Sequence, residues 1–192
     1  MKNRAVTALL SEKTSSDHRR VEDALRPILE RGGQAWRWYF ARMFGVHAAI
    51  EPLLWSGPWC GELDVERRST KSAWLRRDLL RMGMDETAVD VLPRMPLDQQ
   101  AWSDAARWGM AWVLEGSSLG NRVLASMAPT AYRQSQFLRG YGEKTAESWQ
   151  SFRNALDRVG QERLDADQVA DSAIALFRRL GDWLALEGEP RA

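Results

Sequence analysis

Apolar residues recur along this chain at spacings of three and four, the period of an amphipathic helix. Between residues 3 and 31, Val6, Leu9, Leu10, Val21, Leu25, Ile28 and Leu29 follow it, and Gly32-Gly33 stops the segment. From 34 to 55, Trp36, Tyr39, Phe40, Phe44 and Ala48 share one face, and Ser56-Gly57-Pro58 breaks it. Trp74, Leu75, Leu79 and Leu80 predict a helix over 70–83. Asp85 is placed to cap a brief helix over 86–92, ahead of a loop from Pro93 to Pro96. A long helix is predicted over 97–127, ended by Pro129. Others follow over 131–141, 144–159 and 165–187, the last with Asp165 as its N-cap. No stretch shows the β-branched alternation of a strand. The pattern predicts an all-α chain of about seven to nine helices, forming one domain over 1–192.

Composition narrows the chemistry. The 192 residues carry 27 Lys+Arg against 26 Asp+Glu, a net charge of +1. That balance exerts no overall pull on nucleic acid, and no such partner is expected. The one cysteine, Cys60, excludes an intramolecular disulfide and a finger-type zinc site. It follows a Gly-Pro turn with no base beside it, so no catalytic thiol is expected. The chain shows neither a signal-type apolar leader nor a membrane-length apolar run, which predicts a cytoplasmic protein without membrane contact. Ten tryptophans suit helices that pack large flat side chains. The two histidines, His18 and His47, rule out any mechanism needing three or more imidazoles.

Two segments carry candidate chemistry. His18 and Glu22 lie four apart and share a helix face. A neutral imidazole is a good axial ligand for iron, and a carboxylate one turn away can fix the ring and raise its basicity. The same spacing also describes a surface histidine beside a charged neighbour. Gly116 and Gly120, also four apart, place two bare spots on one face of a helix, at about 1 kcal/mol each relative to alanine. Such a strip permits close approach of backbone to something flat. It equally permits tight packing against another helix. The flanking Ser117 and Ser118 can hold water beside it.

Taken together, these segments resemble the heme oxygenase family. Thr14, His18 and Glu22 match the spacing of its proximal helix, and Leu114-Glu115-Gly116-Ser117-Ser118-Leu119-Gly120 resembles the distal-helix signature of its bacterial branch. Phe137-Leu138-Arg139-Gly140-Tyr141-Gly142, followed by Trp149 and Phe152, resembles what comes after that helix. The likeness spans roughly residues 6–185. It implies a single-domain multi-helical bundle and an oxidoreductase that binds heme as substrate and cofactor together. With O₂ and an external electron donor, a reductase or ferredoxin, heme is cleaved to biliverdin, Fe²⁺ and CO. The pigment would serve a bacteriophytochrome, or the reaction would release iron; a monomer is the family default. The resemblance makes His18 the ligand of the heme iron, oriented by Glu22. It sets Gly116, Ser117 and Gly120 near the oxygen site and places Trp112, Tyr141 and Trp149 against the heme. Tyr141 would bond a propionate or cap a helix end.

This chain departs from the family's pattern in two places. Ser117 stands where the animal branch has an Asp that organises distal water. Ser11 stands where many members carry a propionate-binding Lys, which leaves Lys13, Arg4, Arg122, Arg133, Arg139 and Lys144 as candidates. His47 would either join a distal water network or be an ordinary helix histidine. No Gly-rich fingerprint for flavin or nicotinamide follows a strand, so electrons come from outside. The alternative of a different class is a heme-binding or heme-delivery protein on the same scaffold that does not turn over.

Overall fold

A computed structural model describes residues 5–57, 59, 61–97 and 102–185, so Arg4 and Cys60 lie outside the described residues. Those residues contain helices and no strand: α1 (Val6–Leu29), α2 (Gly33–Trp55), α3 (Val65–Arg68), α4 (Lys71–Arg81), α5 (Glu86–Asp90), α6 (Asp104–Met127), α7 (Thr130–Arg133), α8 (Gln136–Arg139), a 3₁₀ turn (Gly142–Lys144), α9 (Thr145–Glu162) and α10 (Ala166–Ala185). The all-α expectation holds. Gly32 and Gly33, at φ 74° and 37°, turn the chain from α1 into α2 through backbone that side chains resist. Asp85 accepts the Ala88 amide at 2.7 Å, and Asp165 accepts those of Asp167 and Gln168 at 3.0 and 3.3 Å, as the pattern predicts.

Three boundaries differ from the periodicity, each for a local reason. The helix predicted from 97 begins at Asp104, because the Ser103 hydroxyl accepts the Ala106 amide and caps it there. The helix predicted over 131–141 is instead α7 and α8. Asp78 of α4 takes the amides of Gln136 and Phe137 at 3.0 and 2.9 Å, and Ser135 takes that of Leu138 at 2.9 Å. A continuous helix would need those amides for its own ladder. The short α3 follows Asp64, whose carboxylate accepts the Arg67 amide at 3.1 Å.

The buried apolar side chains form one continuous cluster. Helix α10 is its axis, burying Val169, Ala170, Ala173, Leu176, Phe177, Leu180, Trp183 and Leu184. Both α1 and α6 pack chiefly on α10; α1 then meets α9, and α6 meets α8 and α9. Gly109 lets α6 approach α10 closely: a Cβ there would collide with the Val169 carbonyl oxygen and stand 2.9 Å from Ser172 Cβ. Gly160 of α9 admits Val6 of α1 in the same way. Helix α4 is fixed from α2. The Glu51 carboxylate accepts the amides of Lys71 and Ser72, each at 3.1 Å, and the Ser72 hydroxyl at 2.5 Å, with His47 Nδ1 at 3.0 Å. Burial acts to raise the Glu51 pKa, but the contacts from His47 and Ser72 outweigh it and hold it below the ordinary 4.5.

Two outcomes follow. Gly109→Ala should overpack the α6–α10 contact and cost about 1–3 kcal/mol, a fall of several degrees in Tm by thermal melting. Glu51 has a depressed pKa, so its contribution is full above the ordinary carboxylate range and is lost as pH falls through the depressed value. Glu51→Gln should therefore be less stable than the parent at pH 7, and urea melts should show the gap narrowing steadily below about pH 4.

Candidate functional site

Because α1 and α6 both lean on α10, their facing sides enclose a cavity of about 630 Å³. That lies within the ~300–1,000 Å³ typical of cofactor and small-molecule sites. One wall is the face of α1 from Ser11 through His18 to Arg26; another is the face of α6 from Trp112 through Gly116 and Gly120 to Met127. Each stretch rises about 22 Å, and the histidine and the glycines sit near the middles. Tyr39 and Met43 of α2, Trp149 of α9, and Phe177, Leu180 and Leu184 of α10 close the remaining sides.

His18 is half-exposed, with Nδ1 3.5 Å from a Glu22 carboxylate oxygen, within ion-pair reach but longer than a good hydrogen bond. Its ring meets Phe177 edge-on, centroids 5.5 Å apart. Nδ1 is turned to its own helix, and Nε2 has no protein partner among the described residues. An imidazole held this way presents Nε2 as a donor to a metal. Among the described residues no group of three or more His, Cys, Asp or Glu is gathered for an ion. A single donor suits a metal that arrives with its other ligands already attached.

The glycines answer the packing alternative. Gly109, one turn and more upstream, does serve tight helix–helix contact. By contrast, a Cβ on Gly116 would only touch the Trp149 ring, at 3.5 and 3.8 Å, and one on Gly120 would meet nothing within 4 Å. The bare strip faces the cavity. Trp112 and Trp149 stand in the wall with ring centroids 4.8 Å apart, and Trp149 stacks on Phe152 at 5.6 Å.

The polar groups of the wall divide into committed and free. Ser11, Thr14, Ser15 and Ser117 donate to the carbonyls of Thr7, Leu10, Glu12 and Leu114, at 2.7–2.9 Å. Ser117 therefore spends its proton on its own helix. Asn121 donates to the Phe137 carbonyl at 3.1 Å. Tyr39 differs: it is only 3% exposed, and its hydroxyl has no hydrogen-bond partner among the described residues. Burial pushes its pKa above the ordinary value, so the phenol stays protonated. Arg19 and Arg26 line the same cavity, and neither side chain has an ion pair among the described residues.

The sequence candidates are thus sorted. His18, Glu22, Trp112, Gly116, Ser117, Gly120 and Trp149 come together in one cavity wall. Tyr141 does not: its hydroxyl donates to Glu115 at 3.0 Å, accepts from Lys71 at 3.0 Å, makes no capping bond to the 3₁₀ turn that Tyr141 precedes, and lies by a separate recess with Arg67, Trp74 and Arg139. His47 is fully buried outside the cavity wall. Of the cations, Lys13 is paired with Asp167 at 2.6 Å, Arg133 donates to the Ala128 carbonyl, and Arg122 and Lys144 are not in the wall. Sequence reasoning missed Arg19, Arg26 and Tyr39. Arg19 and Arg26 lie seven apart, two turns on one helix face, which was the available signal.

No protein-family model matches the chain. A protein of Xanthomonas campestris pv. campestris (strain 8004) named heme oxygenase is 35% identical to it over 120 residues, covering 60% of this chain and 68% of that protein.

The open strip makes a counter-intuitive outcome. Gly120→Ala should stabilise the ligand-free protein by about 0.5–1 kcal/mol, since alanine favours the helix and meets no neighbour. A fall in Tm in a thermal melt of that variant would mean that the strip is packed shut.

Proposed function

This chain belongs to the heme oxygenase family, and we propose that its cavity binds heme and that the protein cleaves it, with O₂ and externally supplied electrons, to biliverdin, Fe²⁺ and CO. The observation that carries the proposal is one imidazole and a side-chain-free stretch of helix lining the same cavity. The residues present fit a porphyrin. Among the described residues, a Cβ at Gly120 would meet nothing within 4 Å, one nitrogen donor suffices for an iron already held by a ring, and two arginines without an ion pair suit two carboxylates.

Bound heme supplies the iron that takes up O₂ and the ring that is oxidised. His18 would hold the iron through Nε2, while Glu22 and the edge of Phe177 restrict rotation of the imidazole. On the other face, Gly116 and Gly120 keep the wall low and smooth. Bare backbone there would let a flat ring and what it carries approach α6 without meeting a side chain at Gly120. Trp112, Val113, Leu124, Leu180 and Leu184 keep bulk water from the ring. With Ser117 committed to Leu114, the Tyr39 hydroxyl, a weakened acid but a hydrogen-bond donor with no partner among the described residues, would act with water as a relay for protons rather than as their source. Arg19 and Arg26 would anchor the propionates by charge-assisted hydrogen bonds. A reductase or ferredoxin supplies the electrons in this scheme, in the cytoplasm and with the chain as a monomer. The product serves a bacteriophytochrome or releases iron.

Ferric heme titration, followed by ascorbate and O₂ with chromatography of the pigment, tests this. A saturating Soret band and a green biliverdin product are expected; a heme complex that survives reductant and O₂ unchanged would make the chain a binding or delivery protein instead. His18→Ala should abolish the parental ferric spectrum and stop turnover, and an unchanged spectrum would remove His18 from its role. Tyr39→Phe should leave heme affinity within a few-fold and slow pigment formation by about tenfold or more. An unaltered rate would assign proton donation to water alone.

A further inference from the structure

Behind the glycine strip lies a buried ion cluster that touches neither the cavity nor the proposed substrate. Glu115 precedes Gly116 on α6, and its carboxylate meets the guanidinium of Arg68, the ammonium of Lys71 and the hydroxyl of Tyr141. Arg68, Lys71 and Glu115 are all at least nine-tenths buried. The second arm of Arg68 donates to the Ser148 carbonyl at 3.1 Å. Ser148 precedes Trp149. One guanidinium therefore ties the residue before Gly116 to the residue before Trp149, and those two partners are the ones that meet in the cavity wall, 3.5 Å from a Gly116 Cβ to the Trp149 ring.

The cluster is also fixed from its far side. Lys71 begins α4, with its amide on Glu51, and its ammonium donates to Tyr141 at 3.0 Å. Burial pulls the Lys71 pKa down, but Glu115 and Tyr141 outweigh it and hold it at about 12. Burial pushes Tyr141 up to about 12 against the pull of Lys71. The cluster keeps two cations and one carboxylate. Burying three ions adds little net stability, and apolar replacements often do as well. What a two-armed planar guanidinium adds is geometry.

We propose that Arg68 is a positioning residue: by bridging Glu115 and the Ser148 carbonyl it sets the spacing of Gly116 and Trp149, and through that spacing selects which edge of the bound ring is cut. The proposal rests on the heme-cleavage reading for its second half only. The first half concerns the ligand-free chain.

Arg68→Lys keeps the charge but cannot reach both partners. Arg68→Met/Glu115→Gln keeps the cluster's net charge, with Lys71 as the remaining cation, and supplies a second variant should the first fold poorly. In the ligand-free protein, hydrogen exchange of amides 113–120 and 146–152 should quicken by about tenfold in both, the scale of losing a charge-assisted bond, with α10 unchanged. With heme, affinity should stay within a few-fold while the ratio of biliverdin isomers shifts. Parental exchange in both segments would overturn the clamp. Faster exchange with an unchanged isomer ratio would overturn the positioning role and leave Arg68 a structural tie. If the parent makes no pigment, the heme-cleavage reading fails and the selection of the cut with it, while the exchange measurement still decides the clamp.

Discussion

The close approaches at Gly109 and Gly160 seat α6 on α10 and α1 on α9 without room for even one methyl group between them. Those contacts hold α1 and α6 apart, since both helices spend their apolar faces on α10 and α9 rather than on each other. The cavity is the remainder of that packing. Its chemistry follows from what the two helices present to it: one nitrogen donor midway along α1 and bare backbone midway along α6. Glycine thus has two opposite uses in one helix. At Gly109 it removes a clash, and at Gly120 it leaves space.

Much of this was legible in the sequence because it is periodic or local. The three-and-four spacing placed the long helices, and i,i+4 arithmetic put His18 beside Glu22 and Gly116 above Gly120. The caps at Asp85 and Asp165 were read from residue type alone. The misses are long-range. Nothing near 131–141 announces that Asp78, more than fifty residues upstream, takes two of its amides. The resemblance sets Tyr141 against the heme because it neighbours family-like residues, but long-range bonds to Glu115 and Lys71 hold it behind the wall. Tyr39 sits on the apolar stripe of α2, and a stripe facing a packed core has the same period as one facing a cavity. Arg19 and Arg26 look like solvated charges until the opposite wall is known.

The electrostatics are layered. The wall itself is mostly apolar, and its serines and Thr14 are turned back onto their own helices. Arg19 and Arg26 stand on α1 with no ion pair among the described residues, while the strongly buried charges of Arg68, Lys71 and Glu115 lie one layer behind α6. The wall's serines, Thr14 and Asn121 are silenced, and the groups left without a partner among the described residues, the Tyr39 hydroxyl, His18 Nε2 and the guanidinium groups of Arg19 and Arg26, differ in chemistry.

A hydrophobic interior that is interrupted by so large a space is incomplete as a folded object. The side chains that face it, Leu180 and Leu184 among them, forgo the dispersion contacts they would have in a filled core. Any occupant restores them, and so acts as the missing piece of the interior as well as a guest. An occupant that binds only the folded chain adds to its stability by an amount set by its free concentration relative to its affinity. Filling the cavity and stabilising the fold are therefore one and the same event.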